Sequence, residues 1–275
     1  MAFEQRLAEL GYQEGKNFAF EFVQISSVEG YESGFRELIA RNIDIIFAGG
    51  AELGLKWALK ATNTLPIVMI AIDYDPFARG YVTSLAQPSG NITGVIVRPL
   101  DLARKQIDLL RQVFPDRNRL AVLYDTQTAD QFTAAEQGAK SLALKVQAFK
   151  VEPAYDFASA FEAAAKGGVQ LMMVQSSPAF AKHREQLAQL AIQHRLPTMF
   201  TFRHYADACG LMSYGVEFPL LWRRTADYVA RMLKGAKAAE LPIEQPTKFE
   251  LVVNFKRPRR LALLYLMAFF WRLTK

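Results

Sequence analysis

Cysteine is almost absent from this sequence. The 275 residues include a single cysteine, Cys209, so no disulfide can form within the chain and a cysteine-based metal site has no support. Histidine is scarce as well, since His183, His194 and His204 are the three in the chain and their spacing matches no metal-ligand motif. The sequence therefore predicts a protein that needs neither a metal nor a cofactor.

The short motifs of common catalytic and nucleotide-binding sites are also missing. The sequence contains no GxGxxG, P-loop lysine motif, GxSxG elbow, HExxH or CxxC. Asp73 and Asp75 are one candidate acid–base pair, although both are equally suited to capping the turn before Pro76. No nucleophile lies near them in sequence, so the pattern favours binding over turnover and predicts that the protein is not an enzyme.

Long hydrophobic runs are lacking too. The membrane-like run Leu261–Trp271 has 11 residues, whereas a membrane-spanning helix needs about 20. The chain opens on an amphipathic helical pattern rather than on a signal peptide. Much of the net charge of +6 comes from a basic tail over residues 256–275, and no basic face with interleaved aromatics is visible elsewhere. Nucleic acid is therefore not an expected partner.

Short apolar runs that alternate with helical patterns fill most of the chain. Continuous runs such as Ile43–Ala48 and Pro66–Ile72 are typical of parallel strands that are covered by helices on both faces. The same reasoning predicts a strand over Phe18–Gln24, where apolar residues alternate, and one helix over Ala179–His194. The fold class is therefore predicted to be α/β.

The alternation lapses over residues 76–99 and again over residues 235–248, and we interpret both stretches as crossings between lobes. The prediction is two doubly wound parallel-sheet lobes joined by a hinge, with a ligand cleft between them. The N-terminal lobe is expected to contain residues 1–97 and to receive about 215–238. The C-terminal lobe is expected to contain residues 98–214 and to receive about 245–275.

A glycine corner follows one of the predicted strands. Asp44–Lys60 reads DIIFAGGAELGLKWALK, in which Gly49, Gly50 and Ala51 join a strand to a helix. Glycines at such a corner let backbone N–H groups approach a ligand, and the helix N-terminus that follows favours a negative group. A tight turn with nothing bound explains the same residues, and the local sequence leaves both readings open.

Six stretches match a known family in order along the chain. They are LAELGYQEGKN (7–17), DIIFAGG (44–50), DPFARGYVTSLAQPSGNITG (75–94), HRLPTMF (194–200), GLMSYG (210–215) and RRTADYVARMLKGAKAAELPIEQPTKFELVVN (223–254). The sequence resembles the ABC-transporter substrate-binding proteins of the tryptophan/tyrosine-binding type, which have the type I periplasmic binding protein fold. The match covers about nine-tenths of the chain.

This resemblance implies a two-lobed protein that captures a small organic solute, such as an aromatic amino acid or a related acid, and delivers it to a membrane permease. It implies no reaction, a monomer, and a periplasmic or lipid-anchored extracytoplasmic location. Family members carry a first strand before the LAELGY helix, so the N-terminal lobe is expected to lack that strand here. Residues 256–275 depart from the family pattern.

The strand ends of both lobes supply the candidate ligand-binding residues, because ligands of open parallel sheets bind there. For an amino-acid ligand, hydroxyl and N–H donors would bind the carboxylate, an acid would bind the ammonium, and an aromatic ring would stack on the side chain. Plain core packing is the alternative for the two aromatic residues, and turn capping is the alternative for Asp75. The candidates are Gly49, Gly50, Ala51, Asp75, Pro76, Asp125, Thr126, Gln175, Ser176, Ser177, Phe202 and Tyr214.

Within that set, Ala51, Thr126 and Ser177 are the candidates for the ligand carboxylate, and Asp75 or Asp125 for the ammonium. Two other functions stay open at this stage. One is a ligand-sensing module of the same fold that feeds a signalling partner, which neighbouring genes would distinguish from a transport protein. The other is an enzyme on a doubly wound fold, which lacks support because no nucleophile–base pair is visible.

Overall fold

The computed structural model describes residues 2–23, 25, 29–50, 52–72, 74–88 and 90–254. The basic tail and the run Leu261–Trp271 lie outside these residues, as do the candidates Ala51 and Asp73. Across the described ranges, no helix combines the length and apolar character that a membrane span requires.

Helices and strands alternate along most of the described chain. The helices are α1 (Ala2–Glu9), α2 (Gly30–Ala40), α3 (Glu52–Ala61), α4 (Pro99–Val113), α5 (Ala129–Ser141), α6 (Phe157–Lys166), α7 (Pro178–Lys182), α8 (Arg184–Gln193), α9 (Arg203–Asp207) and α10 (Phe218–Leu233). The strands are β1 (Ile46–Gly50), β2 (Ile67–Ala71), β3 (Ile92–Ile96), β4 (Arg119–Tyr124), β5 (Lys145–Lys150), β6 (Leu171–Val174), β7 (Thr198–Phe200), β8 (Met212–Val216) and β9 (Phe249–Val253). The alternation is interrupted where α2 follows α1, β3 follows β2 and α8 follows α7.

The chain forms two compact units, each of which draws on two stretches of sequence. Unit 1 contains the described residues up to Val97 together with Phe218–Thr247. Unit 2 contains Arg98–Glu217 together with the described residues from Lys248 onward.

Unit 1 is built on a parallel sheet with the strand order β1-β2-β3. Strands β2 and β3 are buried along their whole length, as their β-branched sequences predict. At the centre of β3, Gly94 lies opposite Met69, and a β-carbon at Gly94 would stand 2.0 Å from the Met69 carbonyl oxygen. The two strands can therefore pair this closely only because residue 94 is a glycine.

Helix α10 closes unit 1 against α1, although more than 200 residues separate the two helices. Its buried residues include Leu221, Thr225, Tyr228 and Met232, which follow one another at three or four positions and so lie on one face. Arg6 Nε lies 2.8 Å from Asp227 Oδ1, and Arg223 lies 2.6 Å from Glu9. The Arg223 guanidinium, followed by that of Arg6, lowers the pKa of Glu9 to about 2. Helix α1 is therefore held in place by α10, which belongs to the late stretch Phe218–Thr247 of unit 1.

Unit 2 is built on a six-stranded sheet with the order β5-β4-β6-β7-β8-β9. All neighbouring strands are parallel except β8 and β9, which are antiparallel. After β4 the chain places β5 on one side of that strand and then crosses to place β6 on the other side. The direction of winding reverses between β4 and β6, and ligands of open α/β sheets bind in the crevice at such a reversal.

Each unit has a hydrophobic core of its own. In unit 2, the buried faces of α4 and α5 pack on Val122 and Met173 of the sheet. In unit 1, Leu55 and Ala58 of α3 pack on Ile67 and Met69. The prediction of an α/β fold with helix-covered parallel sheets is confirmed.

Two local predictions were wrong. Within Phe18–Val23 the backbone forms only a single bridge, from Phe18 to Glu14, instead of a strand. The apolar alternation there reflects ring packing, since Phe18 lies 4.7 Å from Phe20 and Phe20 lies 5.5 Å from Phe3 of α1.

The predicted helix Ala179–His194 is divided into α7 and α8 at His183. The backbone N–H of His183 donates to the Phe180 carbonyl instead of continuing the α-helical hydrogen bonds. The His183 ring lies 5.4 Å from the ring of Phe157. Sequence periodicity did not show this break because both pieces keep apolar residues at helical spacing.

Candidate functional site

Asp125 lies at the reversal point of unit 2, directly after β4. It is buried, and each of its carboxylate oxygens accepts hydrogen bonds from the protein. Oδ1 accepts from the backbone N–H and the hydroxyl of Thr128, both at 3.0 Å. Oδ2 accepts from the hydroxyl of Ser177, at 2.6 Å, in the corner that follows β6. One buried carboxylate thus joins the carboxyl ends of the two strands between which the winding reverses.

The corner after β6 contains the predicted residues Gln175, Ser176 and Ser177, all of them buried. The hydroxyl of Ser177 accepts from the backbone N–H of Phe180 at 3.2 Å and so caps α7. The hydroxyl of Ser176 lies 3.4 Å from that of Tyr205. The structure therefore brings Asp125 and this corner together, as the strand-end rule predicts.

Thr126 is exposed beside this buried network. Its hydroxyl contacts both carboxylate oxygens of Glu152, at 3.1 and 3.2 Å, and Lys150 lies 2.5 Å from the same carboxylate. The Lys150 ammonium, followed by the Thr126 hydroxyl, lowers the pKa of Glu152. Sequence reasoning missed Glu152, because no candidate was selected after the edge strand β5.

Tyr155 is a second residue that sequence reasoning missed. Ala154 and Tyr155 have backbone φ angles of 84° and 41°, which are uncommon for residues other than glycine. The Tyr155 ring stacks on Phe157 at 5.7 Å with 14° between the ring planes. Burial, followed by the negative charges of Asp125 and Glu152, raises the pKa of Tyr155. This ring therefore lies within electrostatic reach of Asp125, and no motif in the sequence marks it.

The two predicted stacking residues of unit 2 are both engaged in packing. Phe202 is buried, and its ring lies 5.9 Å from that of His204. Tyr214 is half-buried and stacks on Phe249 at 5.7 Å with 13° between the planes. Their rings have the surroundings that the core-packing alternative describes.

His204 in α9 is a half-buried histidine next to these rings. Burial, followed by the positive charge of Arg184, lowers its pKa, with an opposing contribution from Asp207. Folding therefore favours the neutral form, and the unfolded chain binds more protons as the pH falls below about 6.5.

We therefore expect the free energy of unfolding to be larger above that pH and to fall on acidification. Urea denaturation at about pH 7.5 and about pH 5.5 measures the difference, and His204→Gln should reduce it. An equal loss of stability in the wild type and in the variant would contradict the assignment.

In unit 1, the glycine corner ends β1. Gly50 has a φ of 97°, in the left-handed region, and apart from its chain neighbours no described residue has an atom within 4 Å of the position that its β-carbon would take. Glu52 begins α3 and accepts hydrogen bonds from the hydroxyl of Tyr81 at 2.7 Å and from Arg79 at 3.0 Å. Burial and the bond to Glu52 raise the pKa of Tyr81 to about 12. Glu52 thus ties the corner of Gly49 and Gly50 to the loop after β2.

That loop contains Asp75 and Pro76. Oδ1 of Asp75 accepts from the backbone N–H groups of Phe77 and Ala78 at 2.9 and 3.3 Å, and the Pro76 carbonyl accepts from Tyr81 N–H at 2.9 Å. Asp75 therefore caps a turn, and Phe77 at the tip of that turn is exposed.

Within the described part of the chain, no three His, Cys, Asp or Glu side chains are grouped to hold a metal ion.

Residues 2–267 match the family model of the ABC transporter substrate-binding proteins. The chain belongs to this family. The resemblance noted in the sequence is thereby confirmed, and the family binds solutes rather than being defined by a reaction.

The chain is 20% identical over 257 residues to a tyrosine-binding protein of Clostridioides difficile, covering 92% of this chain and 73% of that protein. The fold of this chain is similar to that of a Streptococcus pneumonia ABC domain in complex with L-Trp, with a TM-score of 0.83 and 23% identity. The match covers 96% of this chain and 88% of that chain. A conserved domain protein from Vibrio cholerae gives a TM-score of 0.84, 22% identity, and coverage of 96% and 91%. These neighbours identify the fold as that of the type I periplasmic binding proteins.

Proposed function

We propose that this protein is the solute-binding component of an ABC importer, which captures an aromatic amino acid or a related small organic acid and delivers it to a membrane permease. Binding takes place without a metal, a cofactor or a chemical reaction. The protein acts as a monomer outside the cytoplasm, either in the periplasm or anchored by a lipid. It binds no nucleic acid.

The observation that carries this proposal is the joined carboxyl edge at the winding reversal of unit 2. Asp125 and Ser177 hold the ends of β4 and β6 in one buried network, and the exposed hydroxyl of Thr126 lies beside it. A rigid edge with a few polar groups at its surface is the arrangement that small-molecule sites use. The solute class follows from the family relatives, of which one is described as tyrosine-binding and another was solved with L-Trp.

Isothermal titration of the purified protein with L-tryptophan, L-tyrosine, L-phenylalanine and benzoate tests the proposal. At least one of these ligands should bind in a 1:1 ratio and raise the melting temperature, because a ligand that binds only the folded state stabilises it. L-Lysine and glucose serve as controls and should not bind. Absence of binding by every aromatic compound would show that the proposed solute class is wrong.

The Thr126→Val substitution tests the edge itself. Valine keeps the shape of threonine but removes the exposed hydroxyl, which donates to Glu152 and can still accept a hydrogen bond from a ligand. The affinity should therefore fall about five- to tenfold, which corresponds to one hydrogen bond of about 1 kcal/mol. Thr133→Val is the matched control, since Thr133 is also exposed in unit 2 and its hydroxyl donates to the Ala129 carbonyl of its own helix. Equal affinities for both variants would place the ligand away from Thr126.

A further inference from the structure

Gln131 makes an unusual pair of hydrogen bonds to the backbone of unit 2. It lies in the first turn of α5 and is buried. Its amide Nε2 donates to the carbonyl of Ser176 at 3.0 Å, and its Oε1 accepts from the N–H of the same residue at 3.1 Å. Both polar groups of one side chain thus bind both backbone groups of one residue.

The two bonds from Gln131 begin where the hydrogen bonds between β4 and β6 end. The N–H of Gln175 still donates to the Leu123 carbonyl of β4 at 3.0 Å. One residue further on, the backbone of Ser176 is paired with Gln131 instead of with a strand. The contact is reciprocal, because Nε2 of Gln175 donates to the Gln131 carbonyl at 3.5 Å. The side chain of Gln131 therefore extends the pairing of β6 into the corner.

The residue that follows is Ser177, whose hydroxyl reaches Asp125 and caps α7. The direction of the Ser177 side chain depends on the orientation of the peptide plane that precedes it. The bond to the Ser176 carbonyl fixes the orientation of that plane, and the bond to the Ser176 N–H fixes the plane that Ser176 shares with Gln175. Rotation of either plane would leave a buried donor or acceptor unpaired.

We infer that Gln131 is a positioning residue that holds the ligand-binding corner Gln175–Ser177 in its binding conformation from behind, without touching the solute. This inference rests on the proposed function for its effect on affinity. We call the two hydrogen bonds between the Gln131 side chain and the Ser176 backbone the clamp. The clamp is present in the protein without ligand, so it can be tested separately.

Gln131→Met is the first variant, since methionine has a similar length and no hydrogen-bonding amide. Amide hydrogen exchange of Ser176 in the ligand-free protein should become at least about tenfold faster, because a local opening that is blocked by two bonds becomes accessible. The dissociation rate of a bound aromatic amino acid should rise by about the same factor.

Thr198→Val is the matched control. Thr198 is fully buried in the same sheet, and its hydroxyl donates to the Leu196 carbonyl at 2.9 Å, at the amino end of β7 rather than at the carboxyl edge. This variant should lower the melting temperature while leaving both the Ser176 exchange rate and the ligand dissociation rate unchanged. A loss of affinity equal to that of Gln131→Met would assign the effect to general destabilisation and overturn the inference.

Gln131→Glu supplies a readout that a merely structural role would not give. The ionised carboxylate can accept from Ser176 N–H but cannot donate to the Ser176 carbonyl, whereas the protonated acid can do both. Slow exchange of the Ser176 amide should therefore return as the pH is lowered through the titration of the introduced carboxyl, after correction for the intrinsic exchange rate.

Unchanged Ser176 exchange in Gln131→Met would disprove the clamp whether or not a ligand is known. If the clamp is confirmed by exchange but the wild type binds none of the aromatic ligands, the proposed function fails while the structural role of Gln131 stands. If the wild type binds and Gln131→Met binds equally well despite faster exchange, the corner does not contribute to affinity and the inference is wrong.

Discussion

A Gly94→Ala substitution is expected to destabilise unit 1 by about 4 kcal/mol, through a left-handed backbone and overpacking at one position. The φ of Gly94 is 137°, which residues with a β-carbon rarely adopt. The added carbon would also lie 2.0 Å from the Met69 carbonyl oxygen and 2.7 Å from the Met69 nitrogen. Both are backbone atoms of β2, so the contact can be relieved only by separating two buried strands.

Urea denaturation followed by circular dichroism measures this loss, analysed with a separate transition for each unit where the curve shows two. Gly11→Ala is the control for backbone strain alone. Gly11 belongs to unit 1 and has a φ of 92°, yet among the described residues other than its chain neighbours no atom lies within 4 Å of its β-carbon position. Gly11→Ala should lower the free energy of unfolding by about 1–2 kcal/mol. If the two substitutions cost the same, the close approach of β2 and β3 is not what requires glycine at position 94.

Asp125→Ala has the second largest expected effect. It removes the buried acceptor of three hydrogen bonds, two from Thr128 and one from Ser177. Each donor is left inside the protein, so unit 2 should lose about 3 kcal/mol of stability. Ligand binding should be lost as well, because the ends of β4 and β6 are no longer joined. Thermal denaturation and titration of the same preparation measure both effects.

Asp125→Asn separates the hydrogen bonds from the charge. The amide oxygen can accept from Thr128, and the amide nitrogen can donate to the hydroxyl oxygen of Ser177, so stability should remain within about 1 kcal/mol of the wild type. Since both oxygens of Asp125 already bind protein groups, we expect affinity for an amino acid to be kept within about threefold. A loss of more than about 100-fold would instead show that the ligand ammonium needs the negative charge of Asp125.

The strands were predictable wherever the sequence is continuously apolar. Runs such as Ile67–Ala71 are buried on both faces, so burial and strand pairing demand the same residue types. Alternation alone was a weaker guide. Phe18 and Phe20 lie two positions apart, and their rings pack with one another and with α1. The sequence pattern is the same for this arrangement as for a half-buried strand.

The site was predictable to the extent that it follows strand ends. This rule selected Asp125 and Ser177, which the fold joins by a hydrogen bond. The rule could not select Gln131 or Tyr155, since the first reaches the corner from a helix face and the second lies in a loop after an edge strand. Their importance depends on distances between residues that are far apart in sequence, and a local pattern carries no such information.

The return of the chain to unit 1 has a consequence for biosynthesis. The outer edge of β3 is completed by Glu244, whose N–H donates to the Gly94 carbonyl at 3.0 Å and whose carbonyl accepts from Ile96 N–H at 2.9 Å. On the ribosome, the three strands of unit 1 emerge well before this residue and before α10. The first part of unit 1 therefore exposes an open strand edge and an uncovered apolar face until about 150 further residues have been translated. At a typical elongation rate this takes some tens of seconds at most. Nascent chains released before Thr247 should be the ones that recruit chaperones, since an unpaired edge is a template for aggregation.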